Sequence, residues 1–150
     1  MSVTVHRLTG EDLPGYTQML HVFAAGFEDA ESYLSAPPDA ARMTHRLADP
    51  FFIALLAEVD GTPAGALAAY VLEKFEQDRR EVYLYDLAVM PGLRRRGVAS
   101  ALIAKLQQIA GEMQAYVIFV QADHGDDPAI ALYSRLGRRE EVLHFDIDPA

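Results

Sequence analysis

The chain has 150 residues, 51% hydrophobic and 23% charged, which suits one folded domain around a single core and excludes a disordered chain. It has no cysteine, which excludes a disulfide scaffold, a thiolate nucleophile and a sulfur-based zinc or iron–sulfur centre. With 13 Lys and Arg against 22 Asp and Glu the net charge is −9, the opposite of what sequence-independent binding of nucleic acid requires.

Residues 4–8 alternate weakly and predict a first strand. Thr9-Gly-Glu-Asp12 has capping-box spacing, with the Thr9 hydroxyl placed to serve a free amide of the first helical turn. Leu13, Tyr16, Met19, Leu20, Phe23 and Phe27 then recur at helical spacing. Pro37-Pro38 breaks the chain, and Asp39 is placed to cap a short helix through Leu47. Residues 51–59 and 64–72 read as two strands joined by the turn Asp60-Gly61-Thr62-Pro63. Residues 80–89 read as a third, with Val82 and Leu84 on one face and Tyr83 and Tyr85 on the other. Residues 97–114 carry one apolar stripe, Val98, Leu102, Ile103, Leu106, Ile109, Ala110 and Met113, and predict a long helix. Residues 115–122 read as a buried strand. Asp127-Pro128 is placed to cap and start a helix to Leu136, with Gly137 placed to end it in a left-handed turn. Residues 141–147 read as a closing strand. This order predicts one α/β domain around a mixed sheet, with a crossover from 80–89 to 115–122.

The apolar stretches at 51–57 and 64–72 are too short to span a membrane, and Glu58, Asp60 and Gly61 interrupt them. The N-terminus lacks a basic region followed by a long apolar run, so no secretory signal and a cytoplasmic location are expected.

The chemistry concentrates where a strand ends near Val89 and Arg94-Arg95-Arg96-Gly97-Val98-Ala99-Ser100 opens the long helix. A helix N-terminus offers unpaired amides and the positive end of the dipole, which suit a phosphate. Gly97 and Ala99 allow close approach, and three successive arginines add a local positive field. Gly92 and Gly97 have P-loop spacing, but Val98-Ala99 stands where a P-loop has Lys-Ser/Thr, which argues against an NTPase. No G-x-G-x-x-G occurs, so a dinucleotide fold has no support. The segment Asp123-His-Gly-Asp-Asp127 fails calcium-loop spacing, and no metal site is expected.

Arg94, Gly97 and Ala99 meet the pattern Gln/Arg-x-x-Gly-x-Gly/Ala, which resembles the signature of the GNAT superfamily of acyl-coenzyme A dependent N-acetyltransferases. Asp127-Pro-Ala129-Ile-Ala131-Leu-Tyr133-Ser-Arg-Leu136-Gly137 resembles that family's second element, with Arg138 where a Phe is usual. The resemblance implies a mostly antiparallel sheet with a splayed central parallel strand pair, flanked by helices on both faces. It implies acetyl-CoA as donor, its pyrophosphate on the amides of residues 94–100 and its pantetheine arm on the backbone of Leu87-Ala88-Val89. A bulge just after Asp86 would splay that strand from residues 117–121. Residues 65–77, 85–89, 116–129 and 142–149 resemble, more narrowly, the small aminoglycoside 3-N-acetyltransferases of GNAT type.

That likeness implies acetyl transfer to the 3-amino group of an aminoglycoside, and resistance to such antibiotics. The amine must lose a proton and the departing thiolate must gain one. The resemblance assigns the acid to Tyr133, and backbone near Ala88 or Val89 to the oxyanion. The base stays open between Asp86 and Asp123, with Glu81 as a third candidate. Asp123, Asp126, Asp127, Asp146 and Asp148 are candidates for a carboxylate rim against a polycationic acceptor, and Glu28 for another wall. No nucleic-acid or membrane partner is expected. A homodimer is implied, with residues 143–147 as a partner surface. Two alternatives stay open: an acetyltransferase for a polyamine or a protein N-terminus, and a non-catalytic acyl-CoA or polyamine sensor.

Overall fold

The computed structural model describes residues 2–150, in two compact units that meet in sequence at Val120 and Gln121. In the first, the strands β1 (Val3–Arg7), β2 (Phe52–Val59), β3 (Thr62–Glu73), β4 (Arg80–Val89) and β5 (Ala115–Val120) form one sheet in that order. Every neighbouring pair is antiparallel except β4 and β5, which run parallel. The expected mixed, mostly antiparallel sheet is therefore present. Asp60 and Gly61 lie at φ 51° and 79°, so the β2–β3 connection is a two-residue turn with left-handed residues at both centres. β2 reads as a nearly continuous apolar run because helices cover both of its faces.

On one face sit α1 (Leu13–Phe27) and α3 (Ala40–Ala48). Their Tyr16, Met19, Val22, Phe23, Met43 and Leu47 pack against Phe52, Ala54, Leu56, Ala66, Ala68 and Ala88. The approach of α1 is close: a Cβ on Gly26 would stand 2.7 Å from the Ala88 Cβ. On the other face lies α4 (Val98–Glu112), where a Cβ on Gly65 would stand 2.6 Å from Val98 Cγ1. Asp39 caps α3, accepting from the Arg42 amide at 2.9 Å, as its spacing predicts. The cap of α1 is Asp12 rather than Thr9: its Oδ1 accepts from the Gly15 amide at 2.9 Å, while the Thr9 carbonyl accepts from the Asp12 amide in the preceding turn. A short helix, α2 (Ala30–Leu34), was not anticipated; Asp29 caps it at Ser32.

The second unit holds α5 (Asp127–Leu136), capped by Asp126, which accepts from the Ala129 amide, rather than by Asp127. Gly137 is extended (φ −151°), not left-handed, and its amide closes the helix on the Tyr133 carbonyl. The expected strand at 141–147 does not form. A strand exists only by ladder hydrogen bonds, and this stretch pairs with none of the five strands. Its Leu143, Phe145 and Ile147 are 75–90% exposed.

Candidate active site

β4 is paired unequally on its two sides. With β3 it pairs from Glu73↔Arg80 to Gly65↔Val89. With β5 it pairs only from Arg80↔Ala115 to Leu84↔Val120, where β5 ends. The backbone of residues 85–89 therefore has no strand partner on the β5 side, while residues 117–120, expected to splay away, are themselves paired with residues 81–84. The bulge falls before Asp86 and not after it. Ala69 faces Leu84 and Ala68 faces Asp86, so Tyr85 is the extra residue and Asp86 follows it.

Beyond Val89 the Met90 amide donates to the Ala64 carbonyl at 2.8 Å, and a single 3₁₀ turn over Pro91–Leu93 leads into the arginines. Arg94 donates to the Gly26 carbonyl at 3.1 Å, tying this loop to α1. Arg94, Arg95 and Arg96 are all exposed. Arg95 and Gly97 have φ 63° and 79°, which turns the chain sharply into α4. No side chain caps α4, and a Cβ on Gly97 would meet nothing within 4 Å. A helix N-terminus that its own N-cap residue leaves without a side-chain bond suits a phosphate. The Val98 side chain is fully buried in the core, so only its amide is available to a ligand; Ala99 is half-buried and Ser100 exposed.

Asp86 is the half-buried acid of this region. Its Oδ2 accepts from the Tyr33 hydroxyl at 2.8 Å. Burial pushes the Asp86 carboxyl up, and the Tyr33 hydrogen bond opposes that. The Tyr33 hydroxyl is held far above its ordinary range by burial and by Asp86. The Tyr33 ring packs against both Phe23 and Phe27, at centroid distances of 5.5 and 5.8 Å, and those two rings stack on each other at 5.9 Å. Tyr33 escaped sequence reasoning because nothing near residue 33 signals an acid on β4. Glu81 does not belong to this group. It pairs with Lys74 at 3.2 Å and accepts from the Tyr116 hydroxyl, which hold its carboxyl low. It also lies about 16 Å from Asp86 along the strand.

In the second unit, Tyr133 is half-buried, and its hydroxyl is pushed up to about 12 by burial and by the charge of Asp126. Asp123, Asp126 and Asp127 are exposed; the Asp123 carbonyl accepts from the Asp126 amide at 3.2 Å. Asp146 pairs with His144 at 2.9 Å and Asp148 is exposed. In the first unit, Glu28 ends α1 in a left-handed conformation (φ 54°) with its side chain exposed. Among the described residues no three His, Asp or Glu side chains are grouped to hold a metal ion, and no helix is long and apolar enough to cross a membrane.

Residues 16–137 match the pattern of the Acetyltransferase (GNAT) family. The chain belongs to this family. Among solved structures it is similar to an aminoglycoside acetyltransferase from an uncultured soil metagenomic sample, at 49% identity over 100% of both chains with a TM-score of 0.97. A second soil metagenomic aminoglycoside acetyltransferase, solved in complex with sisomicin, is 30% identical over 99% of this chain and 97% of that one, with a TM-score of 0.90. Among curated proteins it is 27% identical to an uncharacterized N-acetyltransferase of Bacillus subtilis, over 81% of this chain and 77% of that protein.

As a GNAT acetyltransferase the chain uses acetyl-CoA as its donor. The one-sided pairing of Leu87–Val89 and the uncapped α4 N-terminus fit that molecule's amide-bearing arm and its pyrophosphate.

Proposed function

We propose that this enzyme transfers the acetyl group of acetyl-CoA to the 3-amino group of an aminoglycoside and so confers resistance to that antibiotic. The observation that carries this reading is the 49% identity, over the full length of both chains, with an aminoglycoside acetyltransferase. The complex of a more distant relative with sisomicin supports it.

Bound acetyl-CoA supplies an activated thioester carbonyl. The backbone of Leu87, Ala88 and Val89 holds its arm, with an amide near Ala88 or Val89 serving the carbonyl oxygen as charge develops there. The amides of Gly97, Val98, Ala99 and Ser100 take the pyrophosphate, with Arg95 and Arg96 adding positive field; Arg94 keeps the loop on α1. The acceptor is an ammonium group at neutral pH and attacks only as the free amine. Asp86 accepts that proton, directly or through water. The nitrogen–carbon bond forms as the carbon–sulfur bond breaks, and Tyr133 protonates the departing thiolate. A hydroxyl held near 12 is fully protonated at neutral pH, as such an acid must be. With no cysteine to form an acyl-enzyme, direct transfer is the simplest route.

Asp123 is a second contact for the amine. Asp126, Asp127, Asp146, Asp148 and Glu28 are further carboxylates for the remaining ammonium groups. The enzyme acts in the cytoplasm as a homodimer, to which the exposed Leu143, Phe145 and Ile147 contribute. Expression in a susceptible bacterium should raise the inhibitory concentration of gentamicin, and NMR of the product should place the acetyl group on the 3-amino nitrogen. Unchanged susceptibility with folded protein present overturns the reading; acetylation at another amine overturns the position.

A further inference from the structure

A row of aromatic rings crosses four strands on the sheet face that carries α1 and α3. Phe52, Tyr70, Tyr83 and Phe119 stand opposite one another in register, one from each of β2, β3, β4 and β5. The bulge then inserts Tyr85 into the same row. Its ring meets Tyr70 edge-on at 5.5 Å and Tyr83 edge-on at 5.6 Å, while Tyr83 stacks on Phe119 at 4.5 Å. At the other end Phe52 touches Tyr70 at 5.3 Å. The row emerges from the core as it crosses the sheet: Phe52 is 5% exposed, Tyr70 37% and Tyr85 57%. Asp86 follows Tyr85 directly, at the point where β4 leaves β5.

We propose that this tyrosine row is the acceptor's binding shelf, on which a sugar or aminocyclitol ring of the aminoglycoside stacks while Asp86 takes its ammonium group. The proposal rests on the aminoglycoside reading above and deepens it. Core packing explains the buried Phe52 but not an exposed Tyr85 joined edge-on to two further tyrosines. An amino sugar presents an apolar C–H face and protonated amines together. The first suits a ring face, and the second suits both the ring quadrupole and a neighbouring carboxylate. The tyrosine hydroxyls add acceptors for the sugar's own hydroxyls. This shelf favours ring-built polycations over linear polyamines, which have no face to stack.

The test uses sisomicin with the full-length enzyme saturated with coenzyme A. Titration calorimetry should give an affinity about fivefold or more weaker for Tyr85→Leu than for the wild type, with Tyr85→Phe, which keeps the ring and loses only the hydroxyl contact, falling between the two. In NMR, sisomicin ring protons should move upfield on binding the wild type, as protons over an aromatic face do, a readout that needs no variant. Wild-type binding without upfield shifts, or full affinity in a folded Tyr85→Leu enzyme, overturns the shelf and leaves the aminoglycoside reading standing. Failure of the wild type to bind sisomicin overturns both.

Discussion

The hydroxyl of Tyr33 and the carboxylate of Asp86, 53 residues apart, meet in a 2.8 Å hydrogen bond that joins α2 to the bulged strand beside the proposed cofactor slot. The bulge aims Asp86 at the same face as Tyr83 and Tyr85, and the stacked Phe23–Phe27 pair packs against the ring that meets it. Tyr33 thereby becomes a positioning residue for the proposed base.

Asp86 works as a base only when ionised, so activity should rise as pH climbs through its pKa, which burial has raised. The Tyr33 hydrogen bond lowers that pKa, and Tyr33→Phe removes it. The acid limb of kcat/KM should therefore shift to higher pH in Tyr33→Phe, a displacement that mere loosening of α2 would not produce. Asp86→Asn should lower kcat by about 10²- to 10⁴-fold across the profile.

Tyr133→Phe removes the proposed donor while keeping the ring. We expect kcat to fall by about 10²-fold or more with acetyl-CoA affinity retained, measured by thiol release and by calorimetry. Because the wild-type hydroxyl titrates near 12, no alkaline limb from Tyr133 should appear below about pH 10. A fall in rate centred near pH 8 that vanishes in Tyr133→Phe would contradict this.

Gly97 separates backbone strain from ligand contact. At φ 79° an alanine costs about 1–2 kcal/mol, a Tm loss of a few degrees, yet its methyl meets no protein atom within 4 Å. A rise of tenfold or more in the KM for acetyl-CoA in Gly97→Ala would therefore report contact with the donor's phosphates. An unchanged KM would remove Gly97 from the binding loop.

Two other glycines should respond in opposite directions. Gly65→Ala would place a methyl 2.6 Å from Val98 and 3.1 Å from the Ala88 carbonyl, and overpacking of this kind costs about 1–3 kcal/mol. Gly111→Ala lies within α4 with nothing within 4 Å and should gain about 0.5–1 kcal/mol of helix propensity. Thermal unfolding of the two variants should show a lowered and a raised Tm.

The several carboxylates proposed to face the acceptor predict salt dependence. The KM for gentamicin should rise between about 50 mM and 0.5 M salt, because exposed charge pairs are screened over that range. A flat response would leave Asp86 and the tyrosine row to carry recognition without the acidic rim.

Much of the local structure was legible because it depends on neighbours a few positions away. The Asp60-Gly61 turn, the Asp39 cap, the alternation of Val82 and Leu84 with Tyr83 and Tyr85, and the stripe of α4 all belong to this class. Errors arose where two local solutions competed. Asp12 took the cap that Thr9 was expected to supply, Asp126 took the one given to Asp127, and Gly137 closed its helix in an extended conformation. The apolar alternation at 141–147 is real, but a strand needs a partner that alternation cannot provide.

The sequence by itself determined the family motif at Arg94, Gly97 and Ala99, the strand leading to it, and a charge balance that disfavours nucleic acid. Only the tertiary structure decided that Glu81 is held by Lys74 and Tyr116, that Tyr33 holds Asp86, and that five aromatic rings form one row. Those relationships depend on strand register and on one extra residue at Tyr85. Register comes from packing across the whole sheet, and a one-residue slip would turn the side chains to the opposite face.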